Sequence, residues 1–260
     1  MLKRLLKKGI ERVLNSMGFS DAINRYYQLP GKAKLFGKVF NYHHRLAYIA
    51  TYTEVFNGEI YKFKTNNVKP IIIDCGANMG LSILYFSINY SEAEIYAFEP
   101  DITVIPCLEK NIETYEMHNV KLFKSAVWDS TGILDFYTDN GLGGRLSSYT
   151  NQAPKKVDAI RLKDFIADKH IDFLKIDIEG AEYNVIKDCE SVLKQIENLF
   201  IEYHCTVNEI QRLDEILLIL RENGFRYHLS SGFSRRRPFV DNNLAAEKFD
   251  LLLNIYGYRN

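Results

Sequence analysis

The strongest constraint on the fold is a regular alternation of short apolar runs and helical segments that begins at Pro70. Apolar, strand-like runs occupy residues 71–74, 94–98, 120–127, 171–176, 199–203, 225–229 and 251–258. Strands that alternate with helices form a parallel sheet with right-handed crossovers. The sequence therefore predicts an α/β fold: a mostly parallel, seven-stranded sheet with flanking helices.

A glycine-containing loop, D-C-G-A-N-M-G at 74–80, joins the first predicted strand to the first predicted helix. Gly76 and Gly80 allow the backbone to approach a ligand closely at the carboxyl end of that strand. Glu99 ends the second predicted strand, 25 residues after Asp74. An acidic residue there can accept both ribose hydroxyls of a nucleoside. The pair of signals predicts a nucleoside cofactor at this edge of the sheet.

Two cofactors fit this layout, S-adenosylmethionine (SAM) and a nicotinamide dinucleotide. The loop lacks the middle glycine of the G-x-G-x-x-G fingerprint, which wraps a pyrophosphate at a helix N-terminus. Asp74 would bring a negative charge towards that pyrophosphate, whereas it suits the ammonium and sulfonium of SAM. We expect SAM, and a nicotinamide-dependent oxidoreductase is the alternative.

A cluster of acids follows the fourth predicted strand, in the segment L-K-I-D-I-E-G-A-E at 174–182. Asp177 is expected where that strand opens onto the amino-acid end of the cofactor. Glu179 and Glu182 are expected in the first turn of the next helix, where the helix dipole favours acids.

The end of the fifth strand carries Glu202 and His204, which share a side by period-two spacing. The sequence predicts that His204 and Asp177 are catalytic, with His204 as general base because its ordinary pKa lies near neutral pH. The alternative is a divalent cation such as Mg²⁺, held by Asp177, Glu202 and His204, which would acidify an acceptor hydroxyl.

Together these segments resemble the FkbM-type methyltransferase family. The resemblance rests on I-I-D-C-G-A-N-M-G at 72–80, A-F-E-P at 97–100, S-A-V-W-D at 125–129, L-K-I-D-I-E-G-A-E at 174–182 and I-E-Y-H at 201–204. It implies a Rossmann-like class I methyltransferase fold and a SAM-dependent enzyme, usually one that methylates hydroxyls of sugars or secondary metabolites. It also implies that Asn78, Ser125 and Ala126 contact the cofactor. The alternative is a non-catalytic SAM-fold scaffold in a glycan-assembly complex.

The chain is expected to divide into an N-terminal extension, residues 1–66, and a methyltransferase domain, residues 67–260. Within the extension the pattern predicts a basic amphipathic helix over 1–17, short helices around 38–56 and a strand over 59–64. The first helix is expected to pack on its own domain or on a second copy. Weak docking onto an anionic membrane surface is the alternative.

Two local signals complete the pattern. Thr206 and Glu209 have capping-box spacing, which predicts that a helix with Ile210 in its apolar face begins there and ends at Gly224. Residues 141–148 contain three glycines and are expected to form a loop that closes over ligands.

Charge and cysteine content limit the partners and the compartment. Lys+Arg and Asp+Glu number 33 each, so the net charge offers no attraction for nucleic acid. A small-molecule or glycan acceptor is the expected partner. The four cysteines are widely spaced and no apolar run is long enough to span a bilayer. We expect a cytoplasmic protein, or one that lies peripherally on the inner membrane face.

Overall fold

The computed structural model describes residues 26–138, 153–206, 209–233, 237, 239–240 and 250–259. The predicted helix over 1–17 and the predicted loop over 141–148 lie outside these residues. The elements are, in chain order, β1 (Gly31–Leu35), β2 (Lys38–Tyr42), α1 (Arg45–Tyr52), a π-helical turn (Thr53–Asn57), β3 (Ile71–Cys75), α2 (Leu81–Asn89), β4 (Glu94–Phe98), α3 (Ile105–Thr114), β5 (Val120–Phe123), β6 (Ala126–Trp128), β7 (Gly132–Phe136), β8 (Lys155–Arg161), α4 (Leu162–Ile166), β9 (Ile171–Ile176), α5 (Glu182–Asp188), a 3₁₀ helix (Cys189–Gln195), β10 (Ile196–Cys205), α6 (Leu213–Glu222), β11 (Arg226–Phe233) and β12 (Leu251–Tyr258).

The central sheet has seven strands in the order β11-β12-β10-β9-β3-β4-β5. Neighbouring strands from β10 to β5 pair in parallel, and β12 runs antiparallel to both of its neighbours. Every residue of β9 is buried, as expected for a parallel strand covered on both faces. The predicted α/β fold with a mostly parallel seven-stranded sheet is confirmed.

The centre of this sheet is also the point at which the chain changes direction across it. β4 and β5 lie on one side of β3, and β9 and β10 lie on the other. The last residues of β4 and β9 pair with Cys75, so Gly76, Glu99 and Asp177 follow at neighbouring strand ends. Open α/β sheets bind their ligands in the crevice outside this point.

Two buried clusters flank the sheet. One packs α4, α5, α6 and the 3₁₀ helix against its first face. The other joins α2 and α3 to the opposite face and includes Phe40, Val55 and Tyr61 from the N-terminal segment. Residues before 67 therefore share a core with the sheet, and the boundary at 66/67 stays a prediction.

The prediction for the N-terminal segment is wrong in two places. Residues 38–42 form β2 of a hairpin with β1 instead of a helix, because Phe36 and Gly37 both have positive φ and reverse the chain. Phe40 and Tyr42 then point to the same buried side with period two. The predicted strand over 59–64 does not form, and Glu59 at its start has φ 48°.

Two further boundaries differ from prediction. Residues 120–127 divide into β5 and β6, and β6 joins β8 and β7 in a separate three-stranded sheet. The helix expected from Thr206 begins only at Leu213, and Ile210 is exposed. Glu209 accepts a hydrogen bond from the Thr206 amide at 2.8 Å, so this half of the capping box closes a turn that precedes the helix. Among the described residues, no helix combines the length and apolar character needed to cross a bilayer.

Candidate cofactor and active site

A cleft lies outside the carboxyl ends of β3, β4 and β9. It encloses about 680 Å³, including space open to solvent, which is within the range of small-molecule sites. Its lining includes the predicted residues Gly76, Asn78, Glu99, Ser125, Ala126 and Asp177. The fold thus brings together residues that lie about one hundred positions apart in the sequence.

The glycine loop approaches the end of β9 closely. Gly76 has φ 91°, and a Cβ built on it would lie 1.9 Å from the backbone oxygen of Asp177. The first glycine is therefore required for contact between two strand ends, in addition to any contact with a ligand. Gly80 has φ 92° and precedes α2, and a Cβ there would lie 2.8 Å from Leu108. In the structure it allows Leu108 of α3 to pack closely against the start of α2.

Glu99 lies at the far side of the cleft from Asp177. The side chain is buried, and its two oxygens accept hydrogen bonds of 2.8 Å from the amides of Asn78 and Asp101. Burial raises the pKa of Glu99 to about 7, although both hydrogen bonds act to lower it. Each carboxylate oxygen has a second lone pair, so Glu99 can also accept ribose hydroxyls.

Asp74 lies behind the loop. It is fully buried, its Oδ2 accepts a hydrogen bond from the Ser82 hydroxyl, and its Oδ1 lies 3.1 Å from Nζ of Lys175. The latter contact is an ion pair without hydrogen-bond geometry. Direct contact between Asp74 and a cofactor stays a prediction; in the structure its carboxylate contacts Ser82 and Lys175.

Lys175 is a component of the site for which no role was predicted, although it lies in the segment 174–182. A lysine inside a fully buried strand almost always has a charged partner, and this signal could have found it. Burial by itself lowers the pKa of Lys175, but the charges of Asp177 and Asp74 outweigh burial and hold the pKa well above 10.5.

His204 is buried among acids. Its Nδ1 lies 3.0 Å from Glu182, and its Nε2 lies 3.8 Å from both Glu179 and Glu202. Burial lowers the pKa of His204, but Glu179, Glu182 and Glu202 raise it to about 10. Its role as general base stays a prediction, and the ring must first lose the proton that these acids stabilise.

The two acids assigned to the first helical turn differ. Glu182 begins α5 as expected. It accepts a hydrogen bond of 2.9 Å from the Gly180 amide, and it contacts His204. Glu179 precedes the helix and has φ 58°. The helix dipole alone therefore does not account for either residue.

A group of three side chains could hold a metal ion. The ligand atoms of Asp177, Glu179 and His204 lie within 4.8 Å of one another. The sequence predicted Asp177, Glu202 and His204, so Glu179 takes the place of Glu202 in this group. Glu202 remains close to the ring, and burial and Asp177 raise its pKa to about 8. A metal would need the neutral form of His204, so its binding would release a proton.

The cleft and the sheet order define an α/β protein with a small-molecule-sized cleft at its topological switch point. Comparison with known families gives the class: the Methyltransferase FkbM domain matches residues 74–227, more than half of the chain. The chain belongs to this family of methyltransferases.

Individual relatives agree with this assignment. Methyltransferase 1 of Beauveria bassiana is 28% identical over 166 residues, covering 52% of this chain and 66% of the relative. The 2-O-methyltransferase NoeI of Sinorhizobium fredii is 27% identical over 155 residues, covering 52% and 63%. The chain thus matches just under two thirds of the length of both proteins.

A solved structure supports the fold. The crystal structure of Methyltransferase FkbM from Methylobacillus flagellatus KT superposes with a TM-score of 0.52 at 19% identity. The match covers 79% of this chain and 47% of that chain. The Rossmann-like methyltransferase fold predicted from the sequence is confirmed.

Proposed function

We propose that this chain is a SAM-dependent O-methyltransferase that acts on a hydroxyl of a sugar, a glycan or a secondary metabolite. One observation carries the cofactor assignment: Glu99 and Asp177 face the same cleft from opposite sides of the glycine loop. Glu99 would hold the ribose hydroxyls. Asp177 would hold the ammonium of the amino-acid end. SAM would supply a methyl group on a sulfonium, which is already activated for transfer.

The charge of the cleft favours this cofactor over a nicotinamide dinucleotide. Asp101, Asp177 and Glu179 line the cleft beside Glu99. Carboxylates attract the ammonium and sulfonium of SAM and repel a pyrophosphate. Calorimetric titration tests the assignment: S-adenosylhomocysteine should bind and NADH should not. Binding of NADH without binding of S-adenosylhomocysteine would instead identify the oxidoreductase alternative.

The choice of a hydroxyl acceptor rests on relatives. NoeI is named as a 2-O-methyltransferase, and a 24% identical relative from Streptomyces tacrolimicus is named as 31-O-demethyl-FK506 methyltransferase. Carboxylates around His204 would also accept hydrogen bonds from the hydroxyls of a sugar or polyol.

Two groups are candidates for removing the proton of the acceptor hydroxyl: a side chain, and a metal ion bound by side chains. His204 is the proposed base, and it is able to accept a proton only at a pH high enough to deprotonate it. A divalent cation on Asp177 and His204, with Glu179 or Glu202, is the second candidate. Addition of a chelator, followed by magnesium, distinguishes the two in a turnover assay.

The acceptor itself is best sought in cells. Mass spectrometry of glycans and metabolites with and without the gene should show a product that lacks one methyl group when the gene is removed. Purified protein should then restore that group in the presence of SAM. Binding of SAM without turnover of any such acceptor would favour the scaffold alternative.

A cytoplasmic location is part of the proposal. Cys75, Cys107, Cys189 and Cys205 are all free thiols, as expected in a reducing compartment. The role of residues 1–17 in self-association or in contact with a membrane surface remains a prediction.

A further inference from the structure

A group of three charges, Asp74, Lys175 and Asp177, connects the ends of β3 and β9, and the proposed function gives a role only to Asp177. Lys175 is 2% exposed and Asp74 is 0% exposed, whereas the Asp177 side chain is 25% exposed. The three side chains therefore extend from the protein interior to the cleft.

Lys175 contacts both sides of this junction. Its Nζ donates a hydrogen bond of 2.8 Å to the Gly76 carbonyl and lies 3.2 Å from Oδ2 of Asp177. Both residues line the cleft. On its inner side the same ammonium pairs with Asp74, which is also fixed by the Ser82 hydroxyl.

The chemistry of these contacts assigns different roles to the two buried residues. The ammonium of Lys175 donates a hydrogen bond to the Gly76 carbonyl and forms ion pairs with both carboxylates, so one charge holds all three groups in one arrangement. Removal of that charge would free the Asp177 carboxylate and the Gly76 carbonyl to move. Asp74 has no exposed surface from which to reach a ligand, and its charge keeps Lys175 in place.

We propose that Lys175 is a positioning residue for the amino-acid end of SAM, acting through Gly76 and Asp177, and that Asp74 serves by holding Lys175. The inference rests on the proposed function. It leaves the nucleoside end to Glu99, whose hydrogen bonds come from the amides of Asn78 and Asp101.

Two ligands separate these ends of the site. S-adenosylhomocysteine carries the amino-acid part, and 5′-methylthioadenosine has the same nucleoside without it. The key protein is the double variant Lys175→Met with Asp74→Asn, because it removes both buried charges and leaves neither unpaired. Lys175→Met alone is the second variant, and circular dichroism reports whether each protein is folded.

The double variant should bind S-adenosylhomocysteine about 10- to 100-fold more weakly, the range for lost hydrogen bonds to charged groups. Its affinity for 5′-methylthioadenosine should stay within about threefold of wild type. A general loss of structure would weaken both ligands together, so the difference between them reports positioning.

Asp172→Asn is the matched control. Asp172 is a buried acid near the opposite end of the same strand, where it accepts hydrogen bonds from Thr65, Asn67 and the Ile71 amide. Its loss should lower the melting temperature and leave both affinities unchanged. The inference would be overturned if the folded double variant keeps wild-type affinity for S-adenosylhomocysteine, or if it loses affinity for both ligands equally. Failure of wild type to bind S-adenosylhomocysteine would refute the proposed function as well.

Discussion

Replacement of Gly76 by alanine tests how the strand ends form the cleft. The substitution introduces two separate penalties. The backbone has φ 91°, a conformation that costs an alanine about 1–2 kcal/mol. The new Cβ would also meet the Asp177 backbone oxygen at 1.9 Å, where contacts under 3.0 Å are essentially never seen.

The two atoms must separate by more than about 1 Å, which requires the ends of β3 and β9 to move apart. Such overpacking costs about 1–3 kcal/mol in a well-packed region. Gly76→Ala should therefore lower the unfolding free energy by about 2–5 kcal/mol. It should also weaken S-adenosylhomocysteine binding at least about tenfold, because Asp177 would be displaced.

Gly37→Ala is the matched control for this variant. Gly37 has φ 81° and no atom within 4 Å of a built Cβ, so it carries the backbone penalty alone. Urea denaturation measures both unfolding free energies, and calorimetry measures ligand affinity. If Gly76→Ala is no less stable than Gly37→Ala and binds the ligand normally, the steric argument is wrong.

Three further predictions concern the carboxylates and His204. Glu99→Ala should weaken SAM binding by about 1–3 kcal/mol, as measured by calorimetry. Glu190→Ala, at an exposed position, is the control and should not change the affinity. If Glu99→Ala binds SAM as tightly as wild type, Glu99 does not bind the ribose. If His204 is the base, His204→Ala should lower kcat about 10²–10⁴-fold, and the kcat of wild type should rise as the pH approaches about 10. An unchanged kcat in His204→Ala, together with no effect of chelator, would exclude both His204 and a divalent cation. The third prediction is tested in chelator-treated protein, so that no metal competes for His204. Folding raises the pKa of His204 from 6.5 to about 10, so the stabilisation from its protonated ring is complete below pH 6.5 and is lost as the pH rises through 10. Urea denaturation should show the unfolding free energy of wild type falling by up to about 1.4 kcal/mol per pH unit across this window, and that of His204→Ala falling less. The same pH dependence in both proteins would show that His204 does not hold the titrating proton.

Short-range patterns in the sequence determined the sheet and much of the cleft. Apolar runs identified β3, β4 and β9 to within a residue, because a buried parallel strand excludes water from both faces. The carboxyl ends of parallel strands lie at one edge of a sheet, so the sequence was enough to predict that Gly76, Glu99 and Asp177 share that edge. The stop at Gly224 was equally local, since its φ of 79° suits glycine.

Only the tertiary structure decided what those residues contact. The sequence predicted Asp74 as a cofactor residue, which stays a prediction. The contacts of its carboxylate with Lys175 and Ser82 were not predictable, because charge pairing in the interior depends on which strands are neighbours. The sequence likewise suggested an ordinary pKa for His204, whereas acids from other elements raise it. Burial and the distances between charges separated in sequence set protonation and contact, and these quantities exist only once the chain has folded.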